Sequence, residues 1–378
     1  MPSSAGLEFD TIFSFDGSNH TNITLEMQSP VGTAVTILNT SSHVLFLGDS
    51  EKFDMAVFDL ASSGSLGALT WAFSDGSDGW TTFTPSSSRL TFDVNDPKAG
   101  LSYDFKRDGV EMFPANQLKT WGTQAVNSQT KYWIKVTAAS VTTPPQLYRI
   151  QKRPRATYCS TSDVFTFLQL GNIVGTPGNP ATDFSSTTTP SKDTVEGFIQ
   201  AAESRIDYMT RKSWRPAYVA EEYHDFNLNG FKLDRPDPYK IISLDIWDGG
   251  DWETKNTGRG QDYFLLKEVG MVHFSRYFLL PARFMSYNAP IWRFGGGEFM
   301  MPVKVSYLAG RDIHADARES GIVHEAARKL AAIEVIRSAD FGTLVVSGAD
   351  RIQLLQRVES WSMEVELMLD TLRAFEVF

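Results

Sequence analysis

VKVSYLAG (residues 303–310) runs directly into RDIHADARESGIVHEAARKLAAIEVI (residues 311–336), and the hydrophobic period changes at the glycine between them. Before Gly310 the run is strand-like, with Lys304 and Ser306 as interior polar residues. After it, Ile322, Val323, Ala326, Leu330, Ile333 and Ile336 recur at spacings of three and four, which predicts a helix from Asp316 to Ser338. Gly310 is expected to supply the turn that launches it. His314 and His324 flank the start of this helix, but HEAAR at residues 324–328 lacks the second histidine one turn away that a zinc-binding helix needs. No metal site is expected.

Upstream, residues 218–310 hold further strand-like runs, KIISLDIWDGG, DYFLLKEVGMVHFS and PVKVSYLAG, with IWRFGGGEFMM as a glycine turn or loop. DTVEGFIQAAESRIDYMTRKSW (193–214) is the clearest helix, since Val195, Phe198, Ile199, Ala202, Ile206 and Met209 share one face. Asp193 and Glu196 stand at capping-box spacing. TSDVFTFLQLGN (161–172) predicts a short helix after a polar cap, and a Gly, Pro, Ser and Thr rich loop follows over 171–190. The end of the chain fits two periods. Trp361, Met363, Val365 and Leu367 alternate, whereas Val365, Met368, Leu369, Leu372 and Phe375 repeat helically, so an extended arm leading to a terminal helix near residue 366 is expected. Val365, Leu369, Leu372 and Phe375 are the candidate residues for docking on a neighbour. Ile199, Ile206, Ile322 and Leu330 are expected in the subunit's own core.

From 20 to 150 the texture is different. Seven short runs, NITLEMQ, AVTILNT, HVLFLGD, MAVFDLA, ALTWAFSD, RLTFDVND and YWIKVTAA, are separated by turn residues and read as an antiparallel β-sandwich, immunoglobulin-like or jelly-roll-like. SDGSDGW (74–80) reads as a hairpin turn with too few oxygen ligands for calcium. Pro144, Pro145 and Pro154 around Lys152, Arg153 and Arg155 predict a linker with a solvated basic face. The expected fold class is therefore α+β and multidomain: a sandwich over 1–150, a linker at 151–160, and a helical domain over 161–378. That helical domain carries a β insertion at about 218–310 and a C-terminal arm or helix at 351–378.

The chain has 378 residues, enough for two or three cores, and a formal charge of -10 that argues against gripping nucleic acid through its phosphates. Its one cysteine, Cys159, excludes an intrachain disulfide and is expected to be structural rather than nucleophilic. The N-terminal residues lack the pattern of a secretory signal, and no apolar run is long enough for a membrane span. No phosphate loop and no nucleophile elbow is present. Glu221 with Glu222 and Asp248 with Asp251 are carboxylate pairs of the kind a hydrolase uses, yet such pairs on a surface loop without a cleft are normally solvated. No catalytic residue and no cofactor is expected. Trp71, Trp80, Trp121 and Trp133 are expected in the core; as stacking platforms they would serve a carbohydrate- or receptor-binding module, the first alternative, and an uncharacterised hydrolase is the second.

The order TSDVFTFLQL, loop, DTVEGFIQAAESRIDYMTRKSW, strands, then VKVSYLAGRDI leading into HEAARKLAAIEVI resembles the head-tail connector (adaptor) family of tailed phages and related viruses. The likeness covers roughly residues 157–378 and rests on a pattern of elements. It implies a virion structural protein, made in the host cytoplasm. Such a protein forms a ring of copies, usually twelve, beneath the portal protein at the neck, extends the DNA channel and presents a surface to the next neck or tail-completion protein. Genomic DNA would pass without specific binding, and no membrane is involved. The loop at 171–190 and the strands at 218–300 are longer than in compact members, and residues 1–150 have no counterpart there. ALTWAFSDGSDGWTTFTP and YWIKVTAAS resemble sandwich modules fused to virion proteins, which implies contact with the capsid or with fibres.

Overall fold

The computed structural model describes residues 7–29, 32–87, 104–113, 115, 117–171, 179–225, 230–247, 252–258, 261–275, 302–311, 313, 317–338 and 348–373. The architecture is mixed α+β, with several antiparallel sheets beside a group of helices. One sheet of the N-terminal region runs in the order His20–Asn22, Thr11–Phe15, Val44–Asp49, Gln129–Ala138, Leu69–Ser74, Trp80–Phe83, with Thr123–Val126 also paired to Gln129–Ala138. The second runs Val35–Thr36, Gln146–Pro154, Phe53–Ser62, Gly109–Met112, Ser86–Ser87.

Period-two alternation explains the packing. In HVLFLGD, Leu45 and Leu47 face the main core with Phe53, Phe58, Trp71, Phe73, Ile134 and Ile150. Phe46, between them, points the other way and packs with Phe13, Val126 and Trp133. The Trp133 ring lies over Gly48 where a side chain would stand, so a Cβ there collides with the indole. Of the seven expected runs, NITLEMQ gives only a strand end and the 3-10 turn Glu26–Gln28, and RLTFDVND lies outside the described residues. Thr11–Phe15 and Gly109–Met112 are strands the run pattern missed.

Gln146–Pro154 corrects the linker reading. These residues pair with Phe53–Ser62 along their length, so the sandwich reaches Pro154 and the prolines mark strand ends. The basic cluster is correspondingly committed rather than solvated. Lys152 pairs with Asp49 in the interior, Arg153 grips Asp54 at 2.7 Å, and Arg155 is buried.

Four helices among the described residues, α1 (Thr161–Phe167), α2 (Lys192–Thr210), α3 (Ala317–Arg337) and α4 (Gly348–Leu372), share one core. Val195, Ile199, Ala202 and Ile206 of α2 meet Val323, Ala326, Leu330 and Val335 of α3 there, with Ile322 partly buried at its edge. α1 begins at a capping box, Ser160 Oγ accepting from the Asp163 N–H while the Asp163 carboxylate accepts from Ser160 N–H. For α2 the cap is Ser191, not Asp193, because Asp193 is engaged with Lys52 of the sandwich at 2.5 Å. α4 corrects the arm expected before residue 366: its helical stripe Val358, Trp361, Val365, Leu369, Leu372 is what meets the core, and the alternating set was a coincidence of that stripe with Met363 and Leu367.

Between α2 and α3 the chain inserts two small sheets. Val303–Ala309 is central in the first, between Ala217–His224 and Pro238–Trp247, with Trp252–Thr254 at the edge. The second is Phe231–Lys232, Met271–Phe274, Tyr263–Leu266. Val303, Val305 and Tyr307 face the core between the two sheets with Phe231, Leu244 and Val272. On the opposite face, Leu308 packs with Met55, Val57 and Val110 of the sandwich. The interior polar residues of this strand are accounted for. The Lys304 ammonium lies 3.9 Å from both Glu221 and Asp245 and 4.6 Å from the Trp252 ring centre, and Ser306 Oγ accepts from Glu221 N–H. The glycine-rich IWRFGGGEFMM lies outside the described residues.

Candidate functional site

Gly310 ends the central strand at a φ of +129°, and a Cβ there would strike the Arg215 carbonyl. This close approach places the strand-to-helix junction against the end of α2, where a buried charged network has formed. Arg215 pairs with Glu203 and, through Nε, with Asp207 at 3.2 Å. Glu203 is 0% exposed and also accepts the N–H groups of Thr157 and Tyr158, at 2.5 and 2.7 Å. The Tyr158 hydroxyl donates to Asp207 and accepts from Trp214 N–H at 2.8 Å. One network thus ties the segment leaving the sandwich, α2, and the start of the insertion.

Burial pushes the Glu203 carboxyl up to about 7, while Arg215 and the two N–H groups pull it down. All the contacts the carboxyl makes are from donors, so the geometry is that of the carboxylate. Burial likewise pushes the Tyr158 hydroxyl well above its usual range. Nothing in composition alone reveals this network, but Glu203 and Asp207 are one turn apart beside the apolar stripe of α2, a position where a carboxylate demands a partner.

The other residues singled out from sequence fall elsewhere. His314 lies outside the described residues. His324 Nε2 is 3.3 Å from Asp163, linking α3 to the first turn of α1. Among the described residues, no group of three or more His, Cys, Asp or Glu side chains is placed to hold a metal ion. Cys159 is buried, and burial raises its thiol far above the usual range, which suits a packing role. Asp75 of SDGSDGW accepts from Ser77 N–H, Ser77 Oγ and Gly79 N–H at 2.8–3.0 Å, and so forms the turn between Leu69–Ser74 and Trp80–Phe83.

Glu222 accepts from Tyr307 Oη and Asp234 N–H and contacts His224, which holds its carboxyl below the ordinary value despite burial. It anchors the insertion rather than facing a cleft. Asp248 and Asp251 lie outside the described residues. Trp71, Trp121 and Trp133 are buried in the sandwich, as the core reading has it, and offer no stacking face for the platform alternative. Trp80 is half-buried with the Lys135 ammonium 4.3 Å from its ring centre.

Of the candidate docking residues, Val365, Leu369 and Leu372 point into the chain's own helical core, and Phe375 lies outside the described residues. The outward face of α4 instead presents Met363 and Leu367, 62% and 68% exposed, and α2 presents Tyr208 at 84%. Among the described residues no helix is long and apolar enough to cross a membrane.

No protein-family model matches the chain, and no curated protein matches it. Among solved structures it is similar to a chain in the neck of an empty gene transfer agent (GTA) particle computed with C6 symmetry. The TM-score is 0.30 and the identity 13%, over 50% of this chain and 81% of that one. A chain in the virion of a native gene transfer agent particle is similar at a TM-score of 0.30 and 12% identity, over 58% of this chain and 94% of the other. Likenesses of this size carry no weight on function.

Proposed function

We propose that the chain is a structural protein of a phage-like virion, a head-tail adaptor at the neck that joins the portal protein to the next neck or tail-completion protein. The observation that carries the proposal is the closure of α1, α2, α3 and α4 around one core, with the strand, Gly310 and α3 in the order that the adaptor resemblance requires. In this reading copies of the chain form a ring, twelve in the family it resembles, and genomic DNA passes through the ring without specific binding. A formal charge of -10 per chain is compatible with a channel wall that does not hold DNA. The sandwich, held to the insertion through Met55, Val57, Val110 and Leu308, would move with the ring as a rigid extension toward capsid or fibres.

Since Val365, Leu369 and Leu372 are used internally, docking on a neighbour falls to the outward face of α4 at Met363 and Leu367. The proposal assigns no reaction to the protein. Electron microscopy of the purified full chain mixed with its portal tests it: rings seated on the tail-facing end of the portal are expected, and portals that stay bare at saturating chain would overturn it.

A further inference from the structure

Alternation along three strands turns three charged side chains into the sandwich. In Val44–Asp49, Leu45 and Leu47 face the main core, and Asp49, two residues further and 1% exposed, faces the same way. In Gln146–Pro154, Ile150 faces that core from the other sheet, and Lys152, 7% exposed, follows it. Lys152 is paired with Ala56 across one edge of Phe53–Ser62, and Glu111, 0% exposed, is paired with Ala56 across the other. Residues opposite one another share a face, so the backbones of Glu111 and Lys152 stand about 10 Å apart, two strand spacings, with the small Ala56 side chain between them.

Lys152 Nζ crosses the gap between the sheets and meets Asp49 Oδ2. The backbone holds the Asp49 carboxyl in place: Oδ1 accepts from Glu51 N–H at 3.1 Å and Oδ2 from Asp10 N–H at 3.2 Å. The Asp10 carboxylate is itself engaged with Lys131 at 2.7 Å and Ser50 Oγ at 2.6 Å. A primary amine and a carboxyl are thus fixed in contact, out of water and on two different sheets, with a second buried carboxyl on the same inward face. Desolvation is costly for both charges and favours neutral amine and acid over ammonium and carboxylate. Fixed contact supplies the effective concentration that such a condensation lacks in free solution.

We propose that Lys152 and Asp49 join in an intramolecular isopeptide bond, formed by the folded chain itself. One ammonium proton passes to Asp49 Oδ2, leaving the amine and the acid. The Nζ lone pair attacks Asp49 Cγ, with Glu51 N–H facing Oδ1 as negative charge develops there. Glu111 takes a proton from Nζ and returns it to Oδ2, the Cγ–Oδ2 bond breaks, and water leaves. The amide keeps Oδ1, and it ties the two sheets together in the last strand before the chain leaves for α1. The step is a single self-modification without turnover and is independent of the adaptor reading.

Intact mass spectrometry of the purified, denatured full chain tests this, together with peptide mapping. The chain is expected to be lighter than its sequence by one water, and digestion should release a branched peptide joining residues 49 and 152. Lys152→Arg, which keeps the cation and cannot form this amide, is expected at full mass. Asp49→Asn should lose ammonia in place of water and reach the same crosslinked mass as the unaltered chain. Glu111→Gln, folded by circular dichroism, is expected to stay unlinked at full mass. An unaltered chain at the full mass of its sequence overturns the proposal. So does a deficit that persists in Lys152→Arg, which would assign the lost water to a succinimide. Complete crosslinking in Glu111→Gln would overturn the proton-carrying role of Glu111.

Discussion

Replacing Arg215 by Met removes the cation at the centre of the junction while keeping most of the side chain's length and apolar stem. What is lost can be enumerated: the pairing with Glu203, the Nε contact to Asp207 at 3.2 Å, an Nη2 contact to Ser204 Oγ at 3.3 Å, and the guanidinium 5.7 Å from the Tyr158 ring centre. Hydrogen bonds to charged groups contribute about 1.5–3 kcal/mol each, so losing the two carboxylate contacts costs roughly 3–6 kcal/mol. The N–H groups of Thr157 and Tyr158 still serve Glu203, which keeps the expected value near the lower half, about 3–4 kcal/mol, in line with breaking a buried ion pair. Glu203→Gln should cost less, about 2 kcal/mol, since its amide oxygen still accepts from those N–H groups and Asp207 still pairs with Arg215. Urea unfolding at pH 8 gives the free energies, and hydrogen exchange at the Thr157 and Tyr158 amides gives the local effect. A loss under about 1 kcal/mol for Arg215→Met, with exchange at those two amides unchanged, would refute the network's role.

Three further outcomes are expected. Gly310→Ala places a methyl against the Arg215 carbonyl at a φ of +129° and should destabilise by about 2 kcal/mol or more, read from the urea midpoint; an unchanged midpoint would contradict the close approach. Asp10 is exposed, and donors from Lys131 and Ser50 outweigh its slight desolvation and hold its carboxyl down at about 2. Its folded value lies below the ordinary 3.8, so its contribution is present above that value and lost as pH falls through about 2. Solvent exposure limits the effect to under about 1 kcal/mol. Asp10→Asn should therefore cost more at pH 7 than at pH 2, and equal costs would be the contrary result. Met363→Lys with Leu367→Lys should leave circular dichroism and melting unchanged, because both side chains are exposed, while abolishing association with copies or portal; persistence of association would move docking off α4.

Much of the fold was legible wherever period and punctuation agreed. The apolar faces of α2 and α3 follow from spacing alone, since each buries one stripe against a single core, and the strand ending at Gly310 was legible as a run although it is buried on both faces. The linker reading failed because prolines and basic residues are ambiguous. In Gln146–Pro154 they sit at strand ends and against Asp49, Asp54 and Asp59, partners about 90–100 residues away that no local pattern contains. The arm expected before residue 366 failed for a different reason: Met363 and Leu367 are exposed, and exposed apolar residues beside a helical stripe imitate alternation. That Arg155 and Glu196 line one cleft was equally unreadable, because only the meeting of sandwich and helices brings them together.

The central claim is assembly at the neck, and native mass spectrometry of the purified full chain, alone and with its portal, tests it most directly. The account predicts a portal complex carrying a closed ring of copies, with a mass increment that is a fixed whole multiple of the chain. A chain that stays monomeric under all assembly conditions and leaves the mass of the portal unchanged would contradict it.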